Sequence, residues 1–310
     1  MKVTATPSNP TSAVRNHLAF ISLILVSAII FWRAFSALAL YSLNQESASH
    51  IIVIPFVSIF LLYTERRRIF SSVSPSFFPG ASLILLGGIL YQASGFGLPL
   101  RPATESLSLV ALALVLCWVG GFVCSYGLAA TRAAAFSLMF LLLMVPLPDP
   151  ALAKTIHLLQ QGSTEVTYLL FKLLGVPVLR QGFVLAVPTV TIEVAVECSG
   201  IRSSIALIIT CLLAAHFYLR TPWKIFLLML LVLPLTVVKN GIRIATLTLL
   251  SIYVNPGFLH GSLHRDGGFV FFLIALLLLL PVLLLLEKSE HRSSMPKSGG
   301  MKQVLPETNA

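Results

Sequence analysis

Three residue types suited to acyl-transfer chemistry occur far apart in this chain: a cysteine at 198, an arginine at 243, and histidines at 260 and 264. Cys198 lies in Glu197-Cys198-Ser199-Gly200-Ile201-Arg202-Ser203-Ser204, a stretch expected to open a helix. A cysteine at a helix N-terminus meets the positive end of the helix dipole, which favours the nucleophilic thiolate. Arg202, four residues on, would share its helix face and add to that field. The plainer reading is a cysteine packed at a helix start. Arg243 falls within an apolar run, with Lys239 four residues before it and Asn240 close by. A charge at the centre of a span costs about 2.5–3.5 kcal/mol on insertion scales and defaults to a functional role. An arginine there suits a carbonyl oxygen or a carboxylate; near a helix end it would equally be a snorkelling anchor. His260 and His264 lie in a polar loop, where histidine is the usual acid–base group near neutral pH or is simply solvated.

These residues must be positioned by a membrane-embedded scaffold. Of 310 residues, 57% are hydrophobic and 10% are charged, with a mean hydropathy of +0.93. Ordinary soluble domains carry roughly 25% charged residues. The apolar residues come in runs of bilayer length, near 18–41, 51–64, 78–97, 106–127, 134–147, 199–219, 224–249 and 269–286. This pattern predicts an all-α polytopic bundle of about eight transmembrane helices. Residues 1–16 read as a polar cytoplasmic N-terminus, 17–286 as one transmembrane domain, and 287–310 as a polar, disordered cytoplasmic tail. Ala37-Leu38-Ala39 is a weak signal-cleavage pattern, but the run around it is long for a signal core and reads as a retained helix. The polar Lys239-to-Arg243 segment is expected to interrupt the seventh span.

Two segments break the pattern. Residues 151–175 carry Lys154, His157, Gln160, Gln161, Glu165 and Lys172 among leucines, and read as one or two interfacial or re-entrant amphipathic helices. Residues 182–197 are rich in β-branched side chains around Pro188 and read as two short extracytoplasmic strands joined by a turn.

The net charge of +10 sits in short clusters between apolar runs, as in Arg66, Arg67 and Arg68. The positive-inside rule accounts for this, and without a basic, aromatic-bearing face no nucleic-acid partner is expected. Placing these arginines, Arg132, Arg220 and Lys224 in the cytoplasm puts both termini there, provided that 151–197 stays outside. Cys198, Arg243, His260 and His264 then converge on the extracytoplasmic surface, with His50, Glu193 and Glu197 at the same face.

Of the four cysteines, Cys117, Cys124 and Cys211 lie within apolar runs and read as small hydrophobes. There is no CxxC pair, no His/Cys cluster at zinc spacing and no His-Glu-x-x-His, so no metal or other cofactor is expected. Ser199 reads as a helix cap.

At these residues the chain resembles the exosortase/archaeosortase family. The likeness is carried by Glu193-Val194-Ala195, by Glu197-Cys198-Ser199-Gly200-Ile201-Arg202-Ser203, by Asn240-Gly241-x-Arg243, and by His264 with Gly268 and Phe272 behind it. Weaker likeness extends to His50 with Pro55, Val145-Pro146-Leu147-Pro148, Gln161-Gly162-Ser163-Thr164 and Leu174-Gly175-Val176-Pro177-Val178. The resemblance implies a Cys/Arg/His site carried onto Cys198, Arg243 and His264; Arg202, Asn240, Glu197 and His260 are expected in support. Family members often have aspartate directly after the histidine. Here Arg265 stands there, Asp266 follows, and His260 is a second candidate, while the glycine and phenylalanine spacing favours His264. The resemblance further implies a cysteine peptidase or transpeptidase of the inner (cytoplasmic) membrane. Its partners would be exported proteins with a C-terminal sorting helix (PEP-CTERM-like), membrane lipid, and a surface acceptor such as a polysaccharide. Two other classes compete: a transporter, suggested by the polar break at Lys239, Asn240 and Arg243, and a non-catalytic factor in exopolysaccharide export. Against a transporter, no internal repeat is visible and the polar residues gather at one face.

Overall fold

The computed structural model describes residues 10–98, 102–259 and 268–294. It is a multi-pass, almost entirely helical membrane protein with one small sheet. Among the described residues, five helices or helix-plus-turn segments are long and apolar enough to cross a bilayer, and the number rises to seven if each of two bent helix pairs is one span. The first pair is α1 (Pro10–Ile30) and α2 (Trp32–Asn44), with Val14–Ile30 bent 77° from α2. A 3-10 turn and α3 (Val53–Thr64) form the span Glu46–Thr64. The short α4 (Arg66–Ile69) carries the arginine cluster, and α5 (Phe77–Ala93) is apolar but only 17 residues long. The long α6 (Ala103–Ala133) is kinked at Gly127.

The expected fifth span, 134–147, is shorter than it reads. It is α7 (Ala135–Phe140) continued by a 3-10 turn to Met144, a stretch of about 15 Å at 1.5 Å per residue. Pro146 and Pro148, which lack backbone N–H groups, end it. The chain then turns 90° into α8 (Asp149–Leu173), so the segment expected as one or two amphipathic helices is a single one.

The chain forms two compact units, Met1–Leu159 and Gln160–Ala310. The boundary falls inside α8, and each side has its own buried core. In the first unit, α5 and α6 approach closely through glycines. An aromatic cluster of Phe20, Phe70, Phe122 and Tyr126 includes His17, whose Nδ1 lies 2.8 Å from the Tyr126 hydroxyl.

In the second unit, the C-terminal part of α8 leads to three antiparallel strands: β1 (Leu179–Gln181), β2 (Val184–Val187) and β3 (Val190–Glu193). Only two strands were expected. The third forms because Gly182, at φ 62°, closes a tight turn that pairs Gln181 with Val184. Pro188 and Thr189 turn β2 into β3, pairing Val187 with Val190. Leu185, Val187 and Ile192 point to one face and pack with Phe171, Val176 and Ala245.

Helices α9 (Ile201–Tyr218), α10 (Pro222–Tyr253) and α11 (Gly268–Ser294) share a second core built from Leu207, Cys211, Leu228, Val232, Ala275 and Leu279. Their other faces are apolar and exposed, as lipid contact requires: Leu277 and Leu285 are each 67% exposed. Helix α10 runs unbroken through the segment expected to interrupt it, because side-chain charge does not disturb the i to i−4 backbone ladder. Helix α11 continues beyond residue 286 to Ser294. The Glu290 carboxylate there accepts the backbone N–H groups of Arg220 and Thr221 at 2.9 and 2.7 Å, capping α10. Lys224 Nζ donates beside it to Ser289 Oγ at 2.6 Å.

Candidate active site

Cys198 occupies the 3-10 turn Glu197–Ser199 and does not begin a helix, contrary to the expectation from its spacing. The turn is closed by Cys198 N–H to the Ala195 carbonyl at 3.0 Å and Ser199 N–H to the Val196 carbonyl at 3.1 Å. Gly200 then takes a left-handed conformation, φ 74°, and serves as the N-cap of α9. A Cβ at Gly200 would be strained and would sit 2.7 Å from Asn240 Oδ1, so glycine is required on two counts. Because the left-handed Gly200 separates the turn from α9, four-residue helical spacing does not relate Cys198 to Arg202, which is exposed on α9. Nor is Ser199 the cap: it is fully buried, and its hydroxyl has no hydrogen-bond partner among the described residues.

The turn is held by α10. Asn240, only 1% exposed, donates from Nδ2 to the Cys198 carbonyl at 2.8 Å and to Ser163 Oγ on α8 at 2.9 Å. Its neighbour Lys239, 4% exposed, donates from Nζ to Ser203 Oγ at 2.5 Å. Ser203 in turn donates to the Gly200 carbonyl at 3.1 Å. Arg243 lies four residues beyond Lys239 on the same helix face and is half-buried. It stands ten residues before the helix ends at Tyr253, and so well inside the helix, not near its end.

The third wall is a polar stripe on α8. Gln160, Ser163, Thr164 and Thr167 are all buried, at most 8% exposed. Gln160 Nε2 donates to the Val194 carbonyl at 2.8 Å, fixing the strand exit that leads to Cys198. Thr167 Oγ1 donates to the Ser163 carbonyl at 2.7 Å and reaches the Gly241 carbonyl at 3.2 Å. A Cβ at Gly241 would lie 2.5 Å from Val166 Cγ1, so that glycine lets α8 and α10 meet closely. These α8 residues were not read as part of the site, although their spacing of i, i+3, i+4 and i+7 is a helix-face signal. An interfacial or re-entrant helix accounts for polar side chains without assigning them to the site, and here the stripe faces the protein.

Of the expected site residues, the structure joins Cys198 directly to Asn240 and puts Arg243 one turn along the same rod. Glu197 belongs to the Cys198 turn, and Glu193 is exposed at the end of β3. His260 and His264 lie outside the described residues. His50 is half-buried in the other unit. The resulting arrangement is a thiol on a clamped turn, referenced to a rigid helix that also carries a guanidinium. Such preorganisation is what acyl transfer from a fixed nucleophile demands.

Comparison with curated proteins and with solved structures returned no match for the chain. The family model for the transmembrane exosortase, in contrast, matches residues 40–281. That interval takes in the Cys198 turn, the α8 stripe, the Asn240 and Arg243 segment of α10 and the residues His260 and His264. The chain is a member of the transmembrane exosortase family.

Proposed function

We propose that this exosortase is a cysteine-dependent peptidase or transpeptidase of the inner (cytoplasmic) membrane, acting at the extracytoplasmic face. Its substrates are exported proteins carrying a C-terminal sorting signal, a short motif followed by a spanning helix. The observation that carries this reading is the 2.8 Å hydrogen bond from Asn240 to the Cys198 carbonyl, which pins the thiol-bearing turn to the helix that bears Arg243. In this reading the Cys198 thiolate attacks the scissile carbonyl carbon. A C–S bond forms and the C–N bond breaks, leaving an acyl thioester. Arg243 stabilises the oxyanion. His264 gives its proton to the departing amine, then takes one from the incoming nucleophile. A surface acceptor such as a polysaccharide makes the reaction a transfer; water makes it hydrolysis. Both the positive-inside charge pattern and the family membership support this assignment.

The test is a co-expressed reporter bearing a sorting-signal tail, followed as a size shift with the wild type and with Cys198→Ala. Processing is expected in the first and absent in the second, with membrane insertion unchanged. Full cleavage by Cys198→Ala would sink the proposal and return the transporter and assembly-factor readings to the front.

A further inference from the structure

Lys239 is a buried ammonium that the proposed mechanism does not use. It stands within a membrane-spanning helix, where a charged side chain persists only when it faces the protein interior and finds partners. No ion pair of Lys239 with a carboxylate occurs among the described residues; its hydrogen-bond partner is the hydroxyl of Ser203, 2.5 Å away. Ser203 passes the contact on to the Gly200 carbonyl at 3.1 Å. The next residue of α10, Asn240, holds the Cys198 carbonyl. Two consecutive residues of one helix thus reach the backbone on either side of Ser199: Asn240 holds the Cys198 carbonyl directly, and Lys239 reaches the Gly200 carbonyl through Ser203, beside the Ser204 hydroxyl and N–H that also donate to it at 2.9 and 3.0 Å. The direction in which the Cys198 side chain leaves the backbone is then set by α10, the same rod that carries Arg243.

We infer that Lys239, acting through Ser203, is a positioning residue for Cys198. This rests on Cys198 being the nucleophile. Ser203 Oγ lies 2.5 Å from Lys239 Nζ and 3.1 Å from the Gly200 carbonyl, and the Cys198→Ala variant separates a positioning hydroxyl from a serine nucleophile.

The experiment uses the full chain in detergent micelles with two readouts. One is reporter processing, resolved into kcat and KM. The other is the alkylation rate of Cys198 by iodoacetamide, followed on the Cys198-containing peptide by mass spectrometry. Ser203→Ala and Lys239→Met are expected to lower kcat between about 10- and 100-fold with KM within about twofold, as misplacement of a reacting group does. Ser203→Thr, which keeps the hydroxyl, is expected to restore most of the rate. The double variant is expected to be no worse than the worse single one, since the two act as one arm. The Cys198 alkylation rate should change in Ser203→Ala and return in Ser203→Thr. Wild-type kcat and alkylation in Ser203→Ala, or a loss confined to KM, overturns the inference. If Lys239→Met does not fold, the Ser203→Ala and Ser203→Thr pair decides alone. If Cys198→Ala still cleaves the reporter, the functional reading falls while the alkylation comparison continues to judge the positioning arm.

Discussion

The two units hold helices together in different ways. In Met1–Leu159, α5 meets α6 through an absence of side chains. A Cβ on Gly80 would come within 2.6 Å of the Gly120 carbonyl, and one on Gly87 within 2.8 Å of the Ala113 carbonyl. Cys117 and Cys124 fill that seam, with their sulfurs 3.9 and 3.6 Å from the carbonyls of Ile84 and Phe77. In Gln160–Ala310, α8, α9 and α10 also approach closely, but their seam carries Gln160, Ser163, Ser203, Lys239 and Asn240. Interhelical hydrogen bonds in membrane proteins average only about 0.6 kcal/mol, so such a seam is a poor way to gain strength. What it supplies is direction: Gln160 holds the Val194 carbonyl at the strand exit and Asn240 holds the Cys198 carbonyl in the turn. The same residue type, cysteine, is packing material in one unit and the centre of a hydrogen-bonded turn in the other.

The sharpest way to break this contrast is to replace the thiols one at a time. Cys198→Ala is expected to lower reporter processing by at least about a thousandfold, as loss of a nucleophile does. Cys117→Ala and Cys211→Ala should keep processing within a few-fold, because both side chains are buried among apolar neighbours. Comparable loss from Cys117→Ala would mean that the division between packing and chemistry is wrong.

Backbone substitutions come next. Gly127, which kinks α6, has φ 83° and ψ 175°, a region open essentially to glycine alone, and a Cβ there would lie 1.7 Å from the Ser74 carbonyl oxygen. Gly127→Ala is expected to destabilise the protein by about 3 kcal/mol or more, read as an earlier thermal transition in detergent. Gly200→Ala faces a left-handed strain of about 1–2 kcal/mol. It should lose less stability than Gly127→Ala yet nearly all processing, because its Cβ displaces the Asn240 clamp. If both variants lose stability and activity in proportion, the polar seam has no separate role.

Hydropathy made the spans legible, because run length in an apolar stretch reports directly on bilayer crossing. It failed where geometry depends on single residues. The 90° bend after Met144 and the kink at Gly127 leave the apolar composition unchanged, so they are invisible to it. The charges at Lys239 and Arg243 looked like an interruption because hydropathy counts side chains, whereas helix continuity is a matter of backbone hydrogen bonds. In the candidate site, Cys198, Asn240 and Arg243 stand out by residue type and motif. Ser163 and Gln160 do not, because a polar stripe looks the same whether water or another helix covers it. Arg202 was misjudged because helical spacing was extended across Gly200, whose positive φ no sequence period reveals.

A smaller effect separates strength from direction within the seam. Asn240→Ala removes the bonds to both Ser163 and the Cys198 carbonyl, while Ser163→Ala removes only one. On membrane hydrogen-bond values, Asn240→Ala should cost about 1–2 kcal/mol of stability and Ser163→Ala about 0.6 kcal/mol. Processing should fall far more in Asn240→Ala than in Ser163→Ala, since only Asn240 touches the nucleophile turn. Equal losses of activity would show that the α8 stripe itself is required, and not just the clamp that it supports.

The smallest effect is expected at the other end of α10, where polar groups serve the helix alone. Glu290 caps α10 from another helix, and Thr221, the N-cap residue, stands 19 residues from Asn240, about 28 Å along the axis at 1.5 Å per residue. Glu290→Gln keeps an acceptor oxygen and removes a solvated, screened charge, so the cost is about 0.5 kcal/mol. Lowering the pH of a wild-type sample to protonate Glu290 should mimic part of that loss, because an ionised carboxylate favours the helix N-terminus and a neutral one does so less. Processing by Glu290→Gln at neutral pH should equal that of the wild type. A large fall in processing with stability intact would show that the orientation of α10 at its capped end is transmitted to Asn240 and Cys198. The polar seam and the cap would then belong to one device, and the direction-setting role would extend along the whole helix.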